Sequence, residues 1–265
     1  MPDTFVKQQR GVPADAFAAE AAGLAWLAAA GGVAVCGVRE VRGDGLVLDR
    51  VEEVRASARA AEAFGCDLAT THAGGAPRFG APPPGVEGDA WIAALPLPMT
   101  RPMTQPTTAP PSTWGAFYAE FRLLPYLRAA RDAGTLDALD ATAVERVCER
   151  LVADDPALVV GASTPARLHG DLWSGNVLWS DAGVVLIDPA AHGGHPETDL
   201  AMLALFGLPH LEVVLNAYVE VAGTPAGWRE RVPLHQLHPL LVHTVLFGGG
   251  YAHQSIAAAR RALAL

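Results

Sequence analysis

Apolar positions recur at helical spacing along most of this chain, interrupted by a few short β-type runs. Residues 13–30 carry Phe17, Leu24 and Leu27 at helical spacing. Pro13-Ala14-Asp15 opens that segment, with Pro in the first turn and an acid near the positive end, and Gly31-Gly32 closes it. Thr4-Phe5-Val6-Lys7 is β-prone, as are residues 33–41 and 45–51 on either side of an Arg42-Gly43-Asp44-Gly45 turn. Residues 57–71 present Ala61, Phe64 and Leu68 on one helical face. Residues 113–134 carry the strongest stripe, Trp114, Phe117, Phe121, Leu124 and Leu127, and residues 140–153 form a further helix. Two apolar runs, 176–179 and 183–187, flank a tight turn at 180–183 and predict a hairpin. Helical spacing resumes near Pro196-Glu197, over 211–221 and over 234–263, with Leu237, Leu240, Leu241, Val245 and Leu246 as core. Residues 257–265 make a closing helix with Arg260 and Arg261 exposed near its negative end. A β-rich front and a helical remainder predict the α+β class.

Residues 74–111 are the loosest part. Residues 96–111 hold six prolines and a single charge, which predicts an extended loop with no core of its own. A chain of 265 residues holds one large or two modest domains. The formal charge of −9, with no basic cluster, excludes nucleic acid and anionic membrane as partners. Cys36, Cys66 and Cys148 are odd in number and lack metal spacing, as buried thiols of a reducing compartment do. Residues 21–38 are uncharged, but they are rich in Ala and Gly, and Asp15 and Glu20 stand where a positive flank belongs. A helix followed by a strand accounts for them, and a cytoplasmic protein is expected. Against 18 Arg there is one Lys, Lys7. Arg does not replace a compact ammonium, so a lone Lys in an Arg-rich chain is a candidate for function.

The candidate chemistry sits at residues 167–189. A polar loop bearing His169, Asp171 and Asn176 precedes the hairpin, and Asp188 follows it, fixed by Pro189. The hairpin returns Asp188 to the loop, so three oxygen-bearing side chains converge. Mg²⁺ and a phosphoryl donor need hard oxygen ligands, plus a carboxylate left over to receive a hydroxyl proton. Kinase catalytic loops read His-x-Asp, four residues, Asn, then a metal-binding Asp after a hairpin. Here His169 and Asp171 are followed at that spacing by Asn176 and, twelve residues on, by Asp188. Gly170 stands where protein kinases carry an Arg that pairs with a phosphorylated loop, so the site is expected to be constitutively assembled.

The wording HGDLWSGNVLW, then DPA, then HPETDLAMLALFG resembles the fructosamine (ketosamine) kinase family, a branch of the aminoglycoside and choline kinase-like fold. Leu172-Trp173-Ser174-Gly175-Asn176 separates it from relatives with His-Pro-Gly-Asn there. The resemblance implies a bilobal protein-kinase-like fold, with residues 1–52 as a partial small lobe and 53–265 as the helical lobe. It implies ATP and Mg²⁺ as cofactors. Asp171 is then the catalytic base, and Asn176 and Asp188 hold the metal. Lys7 holds the ATP phosphates and Glu20 positions Lys7. Backbone groups near Asp49 and Val51 meet the adenine edge. His169 and Asp199 support the catalytic loop, although Asp199 also reads as a plain acid at a helix start. His72, in a Leu-Ala-x-x-His pattern, is a structural histidine beneath that loop. Trp173 either stacks on a sugar or belongs to the core. His192 contacts the acceptor or packs the loop, and the pair His192 and His195 is weak evidence for a metal.

The acceptor implied is a ketosamine, on a free amine or a glycated protein lysine, phosphorylated on the sugar 3-hydroxyl. The alternatives are another small hydroxyl acceptor, aminoglycoside- or choline-like, and a nucleotide-binding pseudokinase. The last arises because six residues precede Lys7, too few for the first two strands and the Gly-rich loop of a kinase small lobe. Either the start codon is assigned too late or the chain is truncated. Phe5 and Val6 are then expected on an exposed sheet edge, with weak activity.

Overall fold

The computed structural model describes residues 3–8, 13–101 and 111–265. The front of the chain is a three-stranded antiparallel sheet in the order β1-β4-β3, made of β1 (Thr4–Gln8), β3 (Val38–Arg42) and β4 (Gly45–Asp49). Helix α1 (Ala14–Ala28) packs against it. Phe17 and Leu24 of α1, Cys36, and Leu46 and Leu48 of β4 form a small separate core. β1 is an edge strand, and Phe5 and Val6 are half exposed on it, as expected.

The β-prone run 33–41 is not one strand. It begins as β2 (Ala34–Val35), which pairs in parallel with β9 (Gly183–Leu186), and it crosses into the front sheet only at β3. The break falls at Cys36 and Gly37. The Cys36 amide donates to the Leu186 carbonyl at 2.9 Å, while the Gly37 carbonyl accepts from the Asp49 amide at 2.8 Å. A Cβ on Gly37 would lie 2.2 Å from the Asp49 carboxylate, so a larger residue at the switch would have to displace that side chain.

The larger lobe is helical. α2 (Ala58–Ala73) is N-capped by Ser57, which accepts from the Ala60 amide, and packs on α7 (Leu211–Ala222). The long stripe 113–134 folds as α3 (Trp114–Phe117), a π-helical turn over Tyr118–Leu123, and α4 (Leu124–Asp132). The π turn was not apparent from the stripe, and Pro125 explains it. Proline has no N–H for the carbonyl four residues back, which is Phe121, and Arg122 Nη1 donates to that carbonyl at 3.0 Å instead. α5 (Ala138–Val152), α8 (Trp228–Phe247) and α9 (Gly250–Leu263) complete the main core with them. α8 begins earlier than its spacing suggested and contains Pro233 and Pro239. Pro239 frees the His235 carbonyl, which accepts from Tyr118 Oη at 3.1 Å. Between these helices lie short strands: the hairpin β5 (Ala90–Ile92) and β6 (Leu95–Leu97), the pair β7 (Ala166–Leu168) and β10 (His192–Gly194), and β8 (Val177–Ser180) against β9. α6 (Glu197–Leu205) follows β10. Among the described residues no helix is long and apolar enough to cross a membrane.

Candidate active site

The catalytic loop runs from β7 to the start of β8, and its shape is set by buried partners. Asp199, at the start of α6, accepts from the His169 amide at 2.8 Å and the Gly170 amide at 3.0 Å. His72, from α2, reaches the same carboxylate with Nε2 at 3.1 Å, and its Nδ1 meets Tyr218 Oη at 2.8 Å. Burial works against the Asp199 carboxylate, but the bonds from His72 and the backbone outweigh it and hold its pKa below the usual range. His169 Nδ1 accepts from the Asp171 amide at 3.3 Å, so Nε2 carries the proton and donates to the Ile187 carbonyl at 2.9 Å. Burial lowers the His169 pKa and keeps the ring neutral. The loop is thereby tied to the segment that delivers Asp188. Gly170 has φ +83°, and a Cβ there would meet the Ala190 carbonyl at 2.1 Å, so the missing arginine leaves room the fold needs.

Asp171, Asn176, Asp188, Lys7 and Glu20 line one cavity of about 330 Å³ between the lobes. Asn176 Nδ2 donates to the Asp171 carbonyl at 2.8 Å and to its Oδ2 at 3.3 Å. Asp171 is pushed up to about 6, first by burial, then by the nearby Asp188 and Asp199 charges, against the Asn176 bond and Lys7. Asp188 has φ +53°, a strained setting for a residue with a side chain. Its Oδ1 lies 3.0 Å from Lys7 Nζ, which also donates to Glu20 Oε2 at 2.7 Å. Burial opposes the Lys7 ammonium, yet the two carboxylates outweigh it and raise its pKa. Burial likewise raises Glu20, against the pull of Lys7. α1 packs closely enough to set this geometry, because Gly23 faces Pro189 and Ala191, where a Cβ would sit 3.3 Å from both side chains.

Other expected residues fall differently. Trp173 lines the cavity, half exposed, with its indole lying over Gly175. Asp49 and Val51 lie outside that lining. The Asp49 carbonyl accepts from Cys36 Sγ at 3.1 Å, its carboxylate pairs with Arg39, and the backbone of Val51 makes no hydrogen bond among the described residues. His192 does not reach the cavity. It is buried, with Nδ1 bonded to the Ala190 carbonyl at 2.9 Å and Nε2 accepting from Arg122 at 3.4 Å, and burial and Arg122 push it down to about 3. It packs the loop. His195 comes close to Glu197 and His235, all three buried, but Arg231 holds Glu197 with two bonds of 2.6 and 2.9 Å. That guanidinium makes the cluster an ion-paired clamp on the start of α6 rather than a cation site. The opposite wall was missed. It comes from Trp91, Ile92 and Ala93 of the β5–β6 hairpin and from Val242, His243 and Phe247 of α8. His243 and Phe247 stand four apart on one helix face, the only sequence signal they offered.

The sequence profile of the family described as fructosamine kinase matches residues 2–264. A probable ketoamine kinase of Klebsiella aerogenes is 38% identical over 153 residues, which span 57% of this chain and about half (48%) of that protein. A probable ketoamine kinase of Synechocystis sp. is 33% identical over 258 residues, 95% of this chain and 80% of that one. The crystal structure of a Thermobifida fusca protein assigned as a fructosamine-3-kinase is similar at a TM-score of 0.87 and 48% identity, covering 99% of this chain and 86% of that one. A choline/ethanolamine kinase family protein from Mesorhizobium loti, 15% identical at a TM-score of 0.57 over 99% of this chain and 82% of that one, shares the fold alone. The catalytic-loop wording, the bilobal fold and these likenesses agree, and the chain belongs to the fructosamine kinase family, phosphotransferases that act on a sugar hydroxyl.

Proposed function

We propose that this chain transfers the γ-phosphoryl group of ATP to the 3-hydroxyl of a ketosamine, such as a fructosamine or ribulosamine on a free amine or a glycated protein lysine. The observation that carries the reading is Asp171, a half-buried carboxyl that lines the cleft, is bonded to Asn176 and is pushed up to about 6. A base poised close to neutral pH can take a hydroxyl proton and release it again. Asp171 orients the acceptor hydroxyl and takes its proton as that oxygen attacks phosphorus in line, with ADP leaving. Lys7, steadied by Glu20, holds ATP phosphate oxygens. The adenine edge reaches past this cavity to the backbone at Val51, which is unbonded among the described residues, whereas that of Asp49 is already engaged, and Trp173 lies against the sugar.

The donor set suits Mg²⁺. Asn176 spends its N–H group on Asp171 and keeps its carbonyl oxygen, and the partly exposed Asp188 carboxylate adds a second hard oxygen in the same cavity. Asn176 and Asp188 would hold such an ion, which would neutralise phosphate charge when bound. The sugar-amine acceptor is supported by the ketoamine kinase names of the relatives.

ATP consumption measured with fructosamine and ribulosamine amines is expected to depend on the acceptor. It should fall by about 10²–10⁴-fold in Asp171→Asn. ATP hydrolysis indifferent to acceptor, or a variant as fast as the wild type, would remove Asp171 as the base.

A further inference from the structure

The cleft has a wall that phosphoryl transfer does not use. From Trp173 outward, five rings form a continuous array. Trp173 meets Phe206 edge-on with centroids 6.0 Å apart, and Phe206 meets His243 at 5.1 Å. His243 then packs against both Phe247, at 5.5 Å, and Tyr251, at 4.9 Å. Trp173, His243 and Phe247 line the same cavity as Asp171. The array is open to solvent: Phe247 is 67% exposed, Trp173 39% and Phe206 38%. Contiguous exposed rings on a soluble fold mark a binding surface. No carboxylate, ammonium or guanidinium belongs to the array. Its one imidazole, His243, has Nδ1 engaged with the Pro239 carbonyl at 2.7 Å. The charged groups of the cavity stand on β1, α1 and the catalytic segment instead.

We propose that this ring array is the subsite for the amine carrier of the acceptor, and that it selects ketosamines whose amine bears an aromatic group. The inference rests on the phosphotransfer reading above. In a ketosamine the amine is attached two carbons from the 3-hydroxyl, so with that hydroxyl at Asp171 the carrier must leave the sugar close to the base. Trp173 is the ring of the array nearest in sequence to Asp171, and the array leads from it through Phe206 at the end of α6 to α8 and the start of α9. An aromatic carrier gains offset or edge contacts with exposed rings. The carrier's secondary ammonium gains from the same ring faces. A carboxylate-rich or very small carrier gains neither.

The test compares kcat/KM for three fructosamines that share one sugar, carried on phenylalanine, on glycine and on α-blocked lysine. The phenylalanine adduct is expected to lead the glycine adduct by about tenfold, and the lead should shrink to within about twofold in Phe247→Ala and in Phe206→Ala. The readout is a ratio between carriers, which a general loss of folding or chemistry does not move. Equal kcat/KM for phenylalanine and glycine adducts, a lead that survives both substitutions, or a lysine adduct preferred over both overturns the inference. Turnover of the glycine adduct reports on phosphotransfer separately. With no turnover of any adduct the phosphotransfer reading fails, and the carrier subsite falls with it.

Discussion

At Asp171, burial and ionisation oppose each other, and the compromise near pH 6 has two consequences that can be measured. A base works when ionised, so kcat/KM is expected to rise with pH through about 6 and to level off above it. An ordinary aspartate would level off near 4. A pH profile of acceptor-dependent turnover checks this, and a limb centred near 4 would contradict it. The second consequence concerns stability. The folded-state pKa lies above the unfolded one, so the ionised form is less favourable folded than unfolded. That penalty grows between about pH 4 and 6 and is constant above. Asp171→Asn should therefore stabilise the fold at pH 7 by on the order of 1–3 kcal/mol and by much less at pH 4. Denaturant unfolding at the two pH values measures it, and a variant weaker at pH 7 would refute the burial argument. These residues were legible because their chemistry is written in one local spacing. His72 was legible only through the family resemblance of its Leu-Ala-x-x-His pattern, and it reaches the loop through Asp199. His192 was not, because a histidine in a Gly-rich loop looks the same in sequence whether it faces a cleft or a core.

The helices show where periodicity stops being informative. Trp114, Phe117, Phe121, Leu124 and Leu127 fit an unbroken helix, and the segment is helical throughout, yet a π turn lies inside it. The stripe records which side is buried, whereas Pro125 records which hydrogen bond is missing, and only the second reveals the turn. The same logic applies to α8, where Tyr118 Oη shares its one proton between the Leu234 and His235 carbonyls, each at 3.1 Å, and accepts from the His238 amide at 3.3 Å. Tyr118→Phe keeps the ring but removes the donor those buried carbonyls share and the acceptor of the His238 amide. It is expected to cost about 1–3 kcal/mol in urea unfolding. A loss near zero would mean that the carbonyls find other donors. The run 33–41 was misjudged as a single strand because β-propensity does not say which sheet a strand joins. Its break shows only in the backbone partners, where Cys36 bonds Leu186 of one sheet and Gly37 bonds Asp49 of the other.

Across the whole molecule, Lys7 is the residue that ties the front sheet to the catalytic segment. Its bond to Glu20 was foreseen from the kinase arrangement, and its ion pair with Asp188 was not. One ammonium serving two carboxylates at 2.7 and 3.0 Å needs a compact, freely oriented donor, which a planar guanidinium does not supply. Lys7→Arg is therefore expected to behave like Lys7→Met, each raising the KM for ATP by at least about tenfold. ATP titrations decide the matter, and an arginine variant within about twofold of wild type would show that charge alone suffices. Part of the proline-rich loop, residues 102–110, lies outside the described residues, so its reading as an extended loop stays with the sequence there.

The switch of strands at Cys36 and Gly37 has a mechanical meaning. β2 is bonded to β9, which ends two residues before Asp188, and three residues after β2 the same chain enters the front sheet. A force that tilts the front sheet therefore acts on the Asp188 segment through a lever only a few bonds long. The Lys7 sheet and the Asp188 segment are thereby joined through the backbone as well as through the Lys7–Asp188 ion pair.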